Sequence, residues 1–146
     1  MIRWMISRDM PGVLDVEKSV LGTWVEEDFR NYNRCRNSIA SVVYGRNDEE
    51  VVGYMLYTLK KNSFTLDKFA VHAHCQRLGY GTQILNKLKS KLSHQRRKFF
   101  QIFVPEDNLD CQLFLKANGL IATGVVEGTY RFIYQHKKLE SALEIS

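Results

Sequence analysis

A chain of 146 residues, 45% hydrophobic and with charges of both signs, reads as one globular domain and excludes a disordered segment. No apolar run approaches the roughly eighteen residues of a membrane span, and the first residues lack the charged-then-apolar order of a signal peptide. The net charge of +5 is partly gathered in Lys87, Lys89, Lys91, Arg96, Arg97 and Lys98, a solvated face or a basic rim for an anionic or RNA-bound partner. Nothing in that run supports specific nucleic-acid recognition.

Cys35, Cys75 and Cys111 lack CxxC spacing, which predicts reduced thiols and a cytoplasmic protein. Ile2 to Ile6 reads as a first strand. Asp9 is a good N-cap, Pro11 fits a first turn, and Val13, Val16 and Val20 follow at near-helical spacing. Thr23 to Glu26 has the form of a capping box, predicting a second helix from Trp24 to about Arg34. Strands follow at Ser38 to Tyr44, Val51 to Lys60 and Phe64 to Val71, joined by turns at Gly45 to Asp48 and Lys61 to Ser63.

After Val71 two glycines, Gly79 and Gly81, precede an amphipathic segment carrying Ile84, Leu85, Leu88 and Leu92. Strand, glycine-bearing turn and helix start together make an anion site, because a helix's first N–H groups lack partners and its dipole favours negative charge. A dinucleotide fingerprint fails at its third glycine, and no Gly-Lys-Ser/Thr follows for a Walker loop. Phe99 to Val104 reads as a buried strand without alternation. Pro105 ends it, a helix runs from about Asn108 to Asn118 and stops at Gly119, and Tyr130 to His136 gives a last strand. One more short strand is expected near Ile121 to Thr123, and the residues from 137 to 146 form a polar tail.

The glycine loop, Gln76-Arg77-Leu78-Gly79-Tyr80-Gly81, resembles the pyrophosphate loop of the GCN5-related N-acetyltransferase (GNAT) family. Phe69-Ala70-Val71 resembles the family strand that holds the acetyl group and pantetheine. Val104 to Asn108, then Leu113 to Gly119, resemble its Val-x-x-x-Asn and Leu-Tyr-x-x-x-Gly-Phe patterns. Trp24 with Glu26-Glu27-Asp28-Phe29 resembles the early motif of ribosomal-protein alanine N-acetyltransferases. The resemblance spans roughly residues 2 to 136 and implies an α/β fold, a mixed and mostly antiparallel sheet flanked by helices. It further implies acetyl-CoA as acyl donor, held by Phe69, Ala70, Val71, Gln76, Arg77, Leu78, Gly79, Tyr80, Gly81, Thr82, Asn108 and Phe114. The acceptor it implies is a protein N-terminus, such as that of a ribosomal protein, or a small primary amine, with ribosome association as a corollary.

Such chemistry needs a base for the amine, a donor for the oxyanion and an acid for the departing thiolate. Here the family pattern breaks. The glutamate position on the strand before Val104 holds Phe103, the tyrosine position in the next helix holds Leu115, and the loop before the last strand is cut to Val126-Glu127-Gly128-Thr129. His72 and Glu106 are the replacement bases on offer, and Tyr130 or Tyr134 the replacement acid, each against a plain structural role. His72, His74 and Cys75 lack an evident fourth ligand, so no metal is expected. Three functions compete: an acetyltransferase, a degenerate module that holds acyl-CoA in a regulatory or interaction role, and a ribosome-associated interaction protein using the basic helix.

Overall fold

The computed structural model describes residues 1–136, so the tail expected over 137–146 lies outside the described residues. Its elements keep the order read from the sequence: β1 (Ile2–Trp4), α1 (Met10–Ser19), α2 (Glu26–Arg34), β2 (Ser38–Tyr44), β3 (Val51–Leu59) and β4 (Ser63–Val71). There follow α3 (Tyr80–Ser90), β5 (Phe99–Pro105), α4 (Leu109–Ala117), β6 (Ile121–Val126) and β7 (Thr129–Gln135), with 3₁₀ turns at Ser7–Asp9 and Ala73–Cys75. Strand order is β1-β2-β3-β4-β5-β7-β6, with β4 and β5 parallel and the β1–β2, β2–β3, β5–β7 and β6–β7 pairs antiparallel. This is the expected mixed, mostly antiparallel α/β fold.

Two compact units make up the chain: Met1–Leu59 with Asp67–Lys87, and Lys60–Leu66 with Leu88 onward. In the first, the periodic Met10, Val13 and Val16 of α1 cluster with Ala40 and Val42 of β2, Tyr54 and Leu56 of β3, Ala70 of β4 and Phe29 of α2. Each fully buried apolar side chain contributes about 1.5–3 kcal/mol. β1 stops at Trp4, short of the expected Ile6, because the chain turns into Ser7–Asp9. Asp9 sits at the N-cap position of α1, yet its carboxylate caps nothing in that helix. It accepts instead from the Ile6 N–H at 2.8 Å and from the Arg3 guanidinium at 2.7 and 2.9 Å.

The capping box expected at Thr23 is displaced by two residues. Val25 is the N-cap of α2, and its N–H donates to Asp28 Oδ2 at 2.8 Å. The reason is local: the Trp24 N–H is committed to the buried Glu17 carboxylate at 3.1 Å and sits ahead of the helix.

In the second unit β5 pairs with β4 over Ser63–Thr65 and with β7 along its whole length, from Phe99 opposite Gln135 to Pro105 opposite Thr129. β5 does alternate, contrary to expectation. Phe100, Ile102 and Val104 are buried while Phe103 is 43% exposed, so its aromatic run hides a two-residue period. β6 extends to Val126, and Glu127 (φ 47°) with Gly128 (φ 81°) forms the tight hairpin to β7, both central residues left-handed as a type I′ turn requires. α4 starts and stops as expected, with Asn108 capping and Gly119 at φ 87°. No helix among the described residues is long and apolar enough to cross a membrane.

Candidate active site

The turn between β4 and α3 lies wholly in the first unit. Gly79 takes φ 93°, and a Cβ built on it would meet no atom within 4 Å. Arg77, a non-glycine, takes φ 64°. Gly81, by contrast, is inside α3 and is not among the positive-φ glycines. Alternating backbone hand of this kind turns successive N–H groups into one concavity. α3 adds its first-turn amides: Gln83 N–H reaches back to Gly79 O at 3.0 Å, and the donors ahead of it have no acceptor inside the helix. The cradle suits a pyrophosphate, and a side chain at position 79 would enter it.

The strand leading in, β4, ends at Phe69-Ala70-Val71, with Ala70 buried and its two neighbours half-buried. Gln76 folds back so that its Nε2 donates to the Val71 carbonyl at 3.2 Å. The Ala73–Cys75 turn is moored to α1 by Ala73 N–H on Ser19 Oγ at 3.0 Å and by His72 Nε2 on Asp15 at 3.1 Å. His74 N–H donates to His72 Nδ1 at 3.1 Å, and the two rings stack with centroids 5.4 Å apart. His72 Nδ1 is therefore an acceptor and Nε2 carries the proton toward Asp15. Both nitrogens are engaged. Among the described residues no group of three or more His, Cys, Asp or Glu side chains could hold a metal ion.

Two polar networks in the same unit escaped the reading of the sequence. Glu17, buried on α1, accepts from Tyr54 OH at 2.5 Å and from Trp24 N–H at 3.1 Å, and pairs with Lys68 at 3.2 Å. A Cβ on Gly22 would overlap its carboxylate, so glycine is what lets the chain pass there. Burial works to raise the Glu17 pKa, but the Tyr54 and Trp24 hydrogen bonds and the Lys68 charge outweigh it and leave it below the usual carboxylate value. Nearby, Tyr32 OH and Thr58 OH both donate to Asp67 Oδ2 at 2.6 Å. Trp24 connects the two, its ring 6.3 Å from Tyr32 and 5.2 Å below the Lys68 ammonium. The available signal was polarity out of place: Glu17 on the apolar face of α1, and Asp67-Lys68 interrupting an apolar strand.

The second unit holds the remaining sequence candidates. Asn108 accepts the Cys111 N–H at 3.2 Å through its side-chain oxygen, which leaves the amide NH₂ as a donor. Glu106 is exposed, and its backbone N–H donates to Gly128 O at 3.0 Å. Tyr130 stands on β7 opposite Val104 and Val125, Phe114 is half-buried, and Leu115 is fully buried. Two cations of the basic run are tied down: Lys89 to Asn118 O at 2.6 Å and Arg97 to Lys60 O at 2.8 Å.

The sequence profile of the Acetyltransferase (GNAT) family matches residues 2–120. The chain belongs to the GNAT acetyltransferase family. Its members take an acetyl group from acetyl-CoA. The fold is similar to that of the ribosomal-protein-S18-alanine N-acetyltransferase from Escherichia coli, at 17% identity over 91% of this chain and 90% of that one, with a TM-score of 0.73. Naa20 from Chaetomium thermophilum, solved with a bisubstrate analogue, gives 14% identity over 97% and 89% of the two chains and a TM-score of 0.79. The PaiA N-acetyltransferase from Thermoplasma acidophilum, solved with coenzyme A, gives 12% identity over 92% and 98% and a TM-score of 0.72. At these identities the likeness is one of fold. No curated protein matches the sequence significantly.

Proposed function

We propose that this GNAT domain transfers acetyl from acetyl-CoA to the N-terminal amine of a protein. The observation that carries the cofactor half is the cradle of Arg77, Gly79 and the first turn of α3, placed directly after the end of β4 at Phe69-Ala70-Val71. Leu78 to Thr82 hold the pyrophosphate, with Gln76 and Arg77 shaping the approach. Phe69, Ala70 and Val71 hold the acyl and pantetheine end, Asn108 offers its NH₂ to a pantetheine carbonyl, and Phe114 walls the channel. Trp24 and the acidic start of α2 support the choice of a protein N-terminus, since they resemble the early motif of the alanine N-acetyltransferases.

Of the proton-transfer candidates, Tyr130 serves as donor to the departing thiolate. His72 organises the loop, because its Nδ1 is occupied by His74 N–H and its Nε2 by Asp15. Glu106 stabilises the β6–β7 hairpin. Release of free thiol from acetyl-CoA, with and without pooled peptides bearing free N-termini and small primary amines, tests the reading. Peptide-dependent release supports it; release with small amines alone removes the protein N-terminus from it.

A second reading has its own observation: Phe103 and the buried Leu115 leave the family's base and acid positions without ionisable groups. On that reading acetyl-CoA binds and no acceptor accelerates thiol release.

A further inference from the structure

The base missing from the family position has a counterpart elsewhere in this chain. Asp67 is exposed, sits on β4 two residues before Phe69, and forms no ion pair among the described residues. Glu17 and Lys68 neutralise each other at 3.2 Å. Around Asp67 the partners are neutral hydroxyls, Tyr32 from α2 and Thr58 from β3, both on Oδ2. Oδ1 has no partner among the described residues. Two short bonds on one oxygen fix the carboxylate and leave the other oxygen presented.

Tyr32 cannot take the proton itself. Burial, and then its bond to Asp67, push its hydroxyl well above the ordinary tyrosine value, so it remains a donor. Its hydroxyl stays on Oδ2 at 2.6 Å, and its ring packs 6.3 Å from that of Trp24, which holds the tyrosine in place. A carboxylate fixed by two neutral hydroxyls, with one oxygen open, is a receptor for a cation.

The geometry points to Asp67 as the group that anchors the acceptor's primary ammonium and accepts its proton, an inference that rests on the acetyl-transfer reading. One N–H proton passes from the ammonium to Asp67 Oδ1 and on to water. The freed nitrogen lone pair forms the C–N bond at the thioester carbonyl, and the C–S bond breaks with its electron pair on sulfur. The amine's second proton ends on the thiol, through Tyr130 or solvent. The sum is ammonium plus acetyl thioester giving amide, thiol and one proton.

The test is Asp67→Asn, nearly isosteric and at an exposed position, in the full chain. Calorimetry with acetyl-CoA is expected to give unchanged affinity. An Ala-initiated peptide and spermidine, titrated against protein saturated with unreactive coenzyme A, separate the two sources of ammonium. The one that wild type binds is expected to bind at least about tenfold more weakly to the variant. With the same amine, kcat/KM falls at least about tenfold at neutral pH. The deficit narrows as pH rises past about 8, where an α-amine deprotonates unaided. Tyr32→Phe and Thr58→Val, which each remove one restraint, lose a smaller factor and keep the wild-type pH profile. An Asp67→Asn protein with wild-type amine binding and turnover overturns the assignment while leaving acetyl transfer in place. A deficit of equal size at every pH overturns it as well, since a structural defect does not depend on the amine's protonation. Failure of the unmutated protein to bind acetyl-CoA instead overturns the acetyl-transfer reading on which the assignment rests.

Discussion

The two compact units carry the family pattern differently. In the first, the strand end at Phe69–Val71, the loop from Gln76 and the start of α3 keep it, and a backbone cradle results. In the second, the resemblance puts the base and acid positions at Phe103 and Leu115, and β6 joins β7 through the two-residue Glu127-Gly128 turn. Anion binding by backbone amides depends on φ, ψ and the absence of a Cβ, so it tolerates changes in nearly every neighbouring side chain. Proton transfer depends on particular side chains, and can be rebuilt wherever a carboxylate and its hydroxyl donors meet. Among the described residues the first unit has three such carboxylates: Asp9 with Tyr44 and Glu17 with Tyr54, both buried, and Asp67 with Tyr32 and Thr58, which is open.

The largest effect should come from the buried Glu17. Glu17→Leu leaves Tyr54 OH and Trp24 N–H without an acceptor, at a cost of about 2–4 kcal/mol, read by denaturant unfolding. Glu17→Gln, which keeps an acceptor, should lose less. Stability should also depend on acid. Glu17 and Asp9 both have lowered pKa values, so their contribution is complete above the usual carboxylate range and is lost as pH falls through their lower folded values. The unfolding free energy should be flat from neutrality to about pH 5 and then decline, less steeply in Glu17→Gln. Equal acid slopes in the two proteins would contradict the assignment of that network.

Next in size is the cradle. Gly79→Val puts a β-branched residue at φ 93° and a side chain into the space an anion would use. Backbone strain alone is about 1–3 kcal/mol, so acetyl-CoA affinity should drop by about tenfold or more in calorimetry, with the rest of the fold intact. An unchanged affinity would make the loop a turn and nothing else.

How much of this was legible in the sequence follows from the range over which each feature is encoded. The order of strands and helices, the stop at Gly119 and the loop glycines are local signals, and the fold follows them. The displaced cap of α2 was hidden because it depends on Glu17, seven residues before Trp24, drawing off an amide. Of the two loop glycines only Gly79 takes φ above zero; both look alike in sequence, where spacing is visible and backbone hand is not. The β5 alternation was masked by Phe99 and Phe103, aromatic on the open face as well as the closed one. The Asp67 group joins α2, β3 and β4 across up to 35 residues, and no local window contains it.

The second unit gives the smaller effects. Leu115→Tyr adds a hydroxyl at a fully buried site and should cost about 1–3 kcal/mol through overpacking. Phe103→Glu, at a half-exposed site, should stay within about 0.5 kcal/mol of wild type in a melting curve. If the family's base is what the chain lacks, Phe103→Glu alone should raise the acceptor-dependent rate. If Asp67 supplies that function, the rate should not change.

The most direct measurement of the central claim is an amide chemical-shift titration of the isotope-labelled chain with acetyl-CoA. Saturable shifts should be largest at Arg77 to Thr82, followed by Phe69 to Val71, with Asp67 moving only when an amine acceptor is added. Saturable binding whose largest shifts fall outside those residues, or no binding at all, would contradict the account.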